Sequence, residues 1–227
     1  MTIKIIKWIA IIAMTFDHIA YHLLPEGITY DIFRDIGRIA YPLFAFLIAE
    51  GFHHTHNVWR YLGRLVLAAF VSEMIIGIVF LATGKTSYFL NTNVFIPLIM
   101  GLISLILLWQ KKWYFQILIL PILVLAYSLP IQYGVYGVLM ILVFGLFTNR
   151  WLQLALFVLT SLLFIEWPLL ECLDWTARYP GMSQWSSLMA FIPIIFYNGK
   201  PGRYNKWFFY LYYPFHIAII FLIKFIV

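Results

Sequence analysis

The feature that most limits what this chain can fold into is its division into nine apolar segments, roughly 3–24, 36–53, 60–82, 93–110, 113–129, 131–148, 151–166, 185–198 and 207–226, with little sequence between them. A helix of about 20 mostly apolar residues crosses the hydrocarbon of a bilayer. No soluble domain of this size could hide so much apolar side chain: 64% of the residues are hydrophobic, 11% are charged and the mean hydropathy is +0.92. Lipid must therefore be the solvent for most of the molecule. The expectation is an all-α protein, a polytopic transmembrane helical bundle of about nine spans, with residues 1–227 as a single membrane domain. The segments at 113–148 and 185–198 have the least certain edges, because Pro130 and a very short connection separate two of them and the eighth segment is short. The first run, from Ile3, is too long for a signal-peptide core and no small-residue cleavage site follows it, so it is expected to stay as a span.

Loop charges orient the bundle. With the N-terminus cytoplasmic, the inner segments carry Lys4, Lys7, Arg60, Arg64, Lys111, Lys112, Arg150, Lys200, Arg203 and Lys206. The outer ones carry Arg34, Lys85 and Arg178 with Glu26, Asp31, Asp35, Glu166, Glu171 and Asp174, and Lys224 lies near the outer end of the last span. That is the positive-inside asymmetry of a multi-pass protein of a cell (inner) membrane. The net charge of +6 thus reports orientation, and no nucleic-acid partner is expected. The single cysteine, Cys172, leaves no intrachain disulfide framework and no cysteine metal cluster. His53, His54 and His56 lack acidic or cysteine companions at ligand spacing, so no metal is expected there.

Within this apolar frame Asp17, His18, Arg38 and Glu50 stand inside or at the edges of the first two segments. An ionisable group in hydrocarbon costs at least a few kcal/mol, and such groups survive by facing one another or a cavity. Lys7 and His18 are eleven residues apart, close to three turns, so they share a helix face about 16 Å apart along the axis. Asp17 points about 100° away from His18, and Arg38 is the expected partner on the next helix. That leaves His18 to act as a general base. Arg60 and Arg64, four residues apart, share a face and suit phosphate oxygens; the same pair also reads as a simple topology anchor. Lys7 reads equally as a snorkelling anchor, and Glu50 as a helix-end acid for Arg60. Tyr41-Pro42 marks a kink, and the last span holds a second polar island with Tyr213, Pro214 and His216. Asn91 and Asn93, at the start of the fourth segment, offer neutral hydrogen bonds.

Five blocks carry a resemblance that spans both ends of the chain: KWIAIIAMTFDH (7–18), GRIAYPLFAFLIAEGFHHT (37–55), RYLGRL (60–65), NTN (91–93) and YYPFH (212–216). They resemble the TraX family, pilin acetylases of conjugation systems and their relatives. The large family of membrane acyltransferases that O-acetylate sugars is similar more distantly. It has an arginine, ten residues and a histidine in its first span, where this chain has Lys7, ten residues and His18; the lysine keeps the charge and loses the fork. The resemblance implies an integral-membrane acetyltransferase that takes acetyl-CoA from the cytoplasm as co-substrate. The acceptor is an amine or hydroxyl of a peptide, pilin-like, or of a glycan, and membrane lipid is the surrounding partner. In this reading His18, Asp17 and Arg38 are catalytic. Lys7, Arg60, Arg64, Glu50 and His54 hold the donor, and Asn91, Asn93, Tyr213 and His216 line the acceptor side. The alternative is a proton-coupled secondary transporter with Asp17, His18, Arg38 and Glu50 as its relay. Such carriers usually show an inverted repeat with broken helices in both halves, and none is evident here.

Overall fold

The computed structural model describes residues 1–82, 93–163, 184–203 and 206–226. Every regular element among them is helical. Helices α1 (Ile3–Leu23), α2 (Ile28–Arg38), α3 (Ala40–His54), α4 (Val58–Ala82), α5 (Phe95–Trp109), α6 (Trp113–Ile117), α7 (Ile119–Ser128), α8 (Gly134–Leu146), α9 (Arg150–Ser161), α10 (Phe191–Ile195) and α11 (Lys206–Ile226) follow one another, with a 3-10 segment Gln184–Ala190 before α10.

Proline chemistry explains where the helices divide. The segment expected as one span over 36–53 is two elements: α2 ends at Arg38 and α3 begins at Ala40. Pro42 has no N–H for the Arg38 carbonyl, and its ring crowds that carbonyl, which favours the break seen at Ile39. Pro121 does the same to the Ile117 carbonyl, and α6 stops at Ile117. The segment expected over 185–198 is a 3-10 run followed by the five residues of α10, shorter than one continuous span. Within α11, Pro214 removes a bond to the Tyr210 carbonyl, yet the helix continues through it.

The outside of the protein is apolar. On α4, Leu67, Phe70, Met74 and Ile78 are exposed at helical spacing while Leu65, Ala68, Ser72 and Ile76 are buried; α11 repeats this, with Leu211, Phe215, Ile219 and Leu222 outward and Tyr213, His216, Ile217 and Ile220 inward. A helix apolar on both faces belongs in lipid. Among the described residues Val58–Ile78 and Trp207–Phe225 are long and apolar enough to cross a membrane, and shorter apolar helices surround them. This is a helical membrane protein.

Helix α1 is the seam of the bundle and packs on α2, α3 and α11. Its first turn is tied to the loop before α11: Ile3 N–H donates to the Lys200 carbonyl (3.0 Å), Lys4 N–H to the Pro201 carbonyl (3.2 Å) and Asn198 N–H to the Met1 carbonyl (2.9 Å). Beyond it, α3 and α5 both pack on α8, and α4 joins α11 to α5. The core joins Ile6, Ala10, Ala13 and Met14 of α1 to Leu43 and Phe46 of α3, Leu102 and Leu105 of α5 and Ile141 of α8.

Candidate functional site

Two residues side by side on α1 reach different neighbours. Asp17 turns to α2, where Arg34 Nη1 donates to Asp17 Oδ1 at 2.7 Å. This corrects the expectation that Arg38 is its direct partner. Arg38, one turn along the same face of α2, is buried and acts on Asp17 through its charge. The hairpin can close this tightly because Gly37 faces Asp17; a Cβ there would overlap the aspartate side chain. Arg34 also stands over the Tyr21 ring, 5.1 Å from its centroid.

His18 turns the other way, to α11. Its Nδ1 lies 2.6 Å from His216 Nε2, and the two rings stack 4.9 Å apart. His216 Nδ1 in turn donates to the Tyr212 carbonyl at 2.9 Å. The histidine expected on the acceptor side is therefore bonded to the expected base.

These groups wall two cavities. The smaller one is lined by Asp17, His18, Gly37, Tyr41, Gln132 and Tyr133 among others. Tyr41 is 1% exposed and stacks on Tyr133, with ring centroids 3.9 Å apart. Tyr133 adopts φ 64 at the start of α8, a left-handed conformation costly for a non-glycine residue. The larger cavity, about 230 Å³, carries the charged groups: Lys7 of α1, Glu50 and His54 of α3 and Arg64 of α4, with Tyr61 and Tyr210. Met14, Phe44, Val94 and Tyr213 line both, so the two cavities abut across a shared, largely apolar wall. Tyr213 is held in that wall by a bond from the Val94 N–H to its hydroxyl (3.4 Å) and by edge contact with Phe95.

The cation set differs from the sequence reading. Arg64 faces the cavity, interacts with the Tyr210 hydroxyl, and keeps its buried Nε without a hydrogen-bond partner. Arg60 is exposed, is not among the residues that wall the cavity, and its backbone N–H bonds Asn57 Oδ1 as part of the α4 cap. Lys7 lies over the Phe209 ring at 5.1 Å. Glu50 faces Arg150 of α9 (3.6 Å) and His54 (3.5 Å), not Arg60. His53 Nε2 donates to the Gly145 carbonyl, and His54 Nδ1 to the Glu50 carbonyl, each at 2.9 Å.

Asn93 is buried and occupied. Its Nδ2 donates to the Ala69 carbonyl (2.9 Å) and to Glu73 Oε2 (2.8 Å), while Oδ1 accepts from the Phe95 N–H (3.1 Å). It clips α4 to the start of α5. Asn91 and Cys172 lie outside the described residues. Arg34, Arg150, Glu73, Gln132 and the Tyr41–Tyr133 pair were not singled out for the site from sequence. Only Arg34 had a usable signal, its four-residue spacing from Arg38.

The sequence pattern described as "TraX protein" matches residues 2–224. A probable fimbrial assembly protein, FimC of serogroup H1, from Dichelobacter nodosus is 30% identical over 95% of this chain and 92% of its own length. An uncharacterised protein of Rickettsia prowazekii is 33% identical over 43% of this chain and 34% of its own. No solved structure matches. A family match that runs from Thr2 through the two-cavity site to Lys224 covers every group described above, and the chain belongs to the TraX family.

Proposed function

We propose that this protein is an integral-membrane acetyltransferase that moves an acetyl group from cytoplasmic acetyl-CoA to an acceptor amine or hydroxyl, with a pilin-like peptide as the first acceptor to try. The resemblance to a fimbrial assembly protein favours the peptide over a glycan. The observation that carries the reading is the adjacency of the two cavities: Lys7 and Arg64 line the larger one, His18 the smaller, and Met14, Phe44, Val94 and Tyr213 line both.

The parts suit the donor. Phosphates need fixed cations, and the unpartnered Arg64 Nε is a donor without a partner. Glu50 would repel an anion, but Arg150 offsets its charge. The thin, largely apolar pantetheine arm would reach His18 by parting the shared wall of Met14, Phe44, Val94 and Tyr213. The apolar walls also limit water near the thioester. In the reaction His18 takes the proton from the acceptor N–H or O–H as the acceptor atom bonds to the acyl carbon. The C–S bond breaks, and the protonated imidazole returns that proton to the departing CoA thiolate. Arg38, buried beside the smaller cavity wall, supplies positive charge near the developing oxyanion. If the N-terminus is cytoplasmic, as the loop charges favour, Lys7 and Arg64 stand on the side where acetyl-CoA is made.

Purified protein incubated with radiolabelled acetyl-CoA and a synthetic peptide bearing a free N-terminal amine should give labelled peptide, and His18→Ala should abolish it. CoA should stabilise the folded protein, since a ligand that binds only the folded state raises its stability by mass action. Folded protein that neither binds CoA in calorimetry nor shifts its melting would remove the reading.

A further inference from the structure

A histidine base works only if the correct ring nitrogen carries the lone pair, and the network around α11 determines which one that is. Thr15, on α1, donates its single hydroxyl proton to the Ile11 carbonyl at 2.8 Å. Its oxygen also lies 2.7 Å from the Tyr212 hydroxyl. With the threonine proton already placed, Tyr212 is the donor in that second bond. The tyrosine ring, pinned at its far end to α1, lies nearly parallel to the His216 imidazole, 12° between planes and 5.2 Å between centroids. The same residue's carbonyl accepts from His216 Nδ1 at 2.9 Å. A carbonyl can only accept, so His216 carries its proton on Nδ1. Its Nε2 is then a lone pair facing His18 Nδ1 at 2.6 Å. With both rings neutral, His18 must donate from Nδ1, and its own lone pair is left on Nε2.

We propose that Thr15, Tyr212 and His216 form a positioning chain that fixes His18 as the Nδ1–H tautomer, making Nε2 the nitrogen that takes the acceptor's proton. This rests on the acetyltransferase reading for its consequence in turnover, though not for the tautomer itself. It changes the role of His216 from acceptor contact to orienting group. It also gives a task to Thr15 and Tyr212, two residues outside the cavity walls. The chain crosses from α1 to α11 twice within one turn of each helix, so it sets both the ring plane and the proton position of His18.

The test uses the full-length protein in lipid bilayers with ring-15N histidine, the His18 signals being assigned by loss in His18→Gln. Wild-type protein should show a protonated, pyrrole-type Nδ1 and a pyridine-type Nε2 at His18. His216→Phe keeps a ring for stacking and removes the acceptor. It should give a mixture of tautomers and lower kcat several-fold, in proportion to the fraction of His18 left in the Nε2–H form, with CoA affinity within about twofold of wild type. Tyr212→Phe should move both readouts in the same direction by less, and Thr15→Ser, which keeps the hydroxyl, should match wild type. An Nε2–H signal at His18 in the wild type would overturn the proposal, as would a His216→Phe protein whose kcat falls while its His18 tautomer stays pure. If the tautomer and its variants behave as expected but no acetyl transfer is found, the enzyme reading fails and the positioning chain stands.

Discussion

The buried pair between Asp17 and Arg34 is where charge most directly controls stability, and a double-mutant cycle measures it. The N···O distance is 2.7 Å, and the side chains are 4% exposed on the arginine and 13% on the aspartate. At an effective dielectric near 20, unit charges about 4 Å apart attract by about 4 kcal/mol. Desolvation of both groups offsets much of that when the pair forms, but removing one partner strands the other and costs about 3–5 kcal/mol. Asp17→Asn and Arg34→Met should therefore each be strongly destabilising, while the double variant should be less damaged than the sum of the two. The expected coupling is about 1–3 kcal/mol, since Asp17 and Arg34 share a direct bond. The same cycle with Arg38→Met in place of Arg34→Met should give a smaller coupling, because Arg38 acts on Asp17 through its charge, whereas Arg34 adds a direct hydrogen bond. Unfolding of the purified protein by denaturing detergent, followed by far-UV circular dichroism, reads each free energy. Additive losses for Asp17 with Arg34, alongside strong coupling for Asp17 with Arg38, would refute the assignment of the pair.

Arg64→Ala should weaken CoA binding several-fold in calorimetry, and added salt should mimic it, whereas Arg60→Ala, outside the cavity wall, should leave affinity within about twofold of wild type. Gly37→Ala drives a methyl into the Asp17 side chain and should lower stability by about 1–3 kcal/mol, with loss of turnover, measured in the same unfolding assay. For topology, a cysteine placed at Glu26 should react with an impermeant thiol reagent from outside intact cells, and one at Lys112 should react only after lysis; external labelling at Lys112 would break the nine-crossing arrangement.

Burial was legible in the sequence; pairing was not. A charge within an apolar run has to be covered, so Asp17, Arg38, Glu50 and His216 could be picked out before any helix was placed. Which cation covers which acid depends on how far one helix slides along another. Arg34 and Arg38 share a face of α2, and the choice between them is made by the close approach at Gly37 and by the early end of α2 that Pro42 favours. The region before Arg38 read as an outer loop because Asp31, Arg34 and Asp35 interrupt it, although those charges describe an amphipathic helix. Glu50 was matched to Arg60 because the two are near in sequence. The bundle instead brings Arg150 to it from α9, a hundred residues on, where Asn149 caps the helix and aims its first turn.

Asp17 and His18 are neighbours on α1, pointing about 100° apart. One is tied to α2 through Arg34 and the other to α11 through His216. With the packing of α1 on α2, α3 and α11, the two contacts oppose rotation of the helix about its axis. A shift that lengthens the ion pair must turn His18 away from His216, and a shift that frees His18 must strain the ion pair. In the acetyltransferase proposed above, Arg34→Met should therefore lower turnover through the orientation of α1, and Asp17, which lines the smaller cavity with His18, should act there as well. It also accounts for an acid–histidine dipeptide whose members do not hydrogen-bond each other: adjacency lets one helix be held from two sides at the depth where the base must stand.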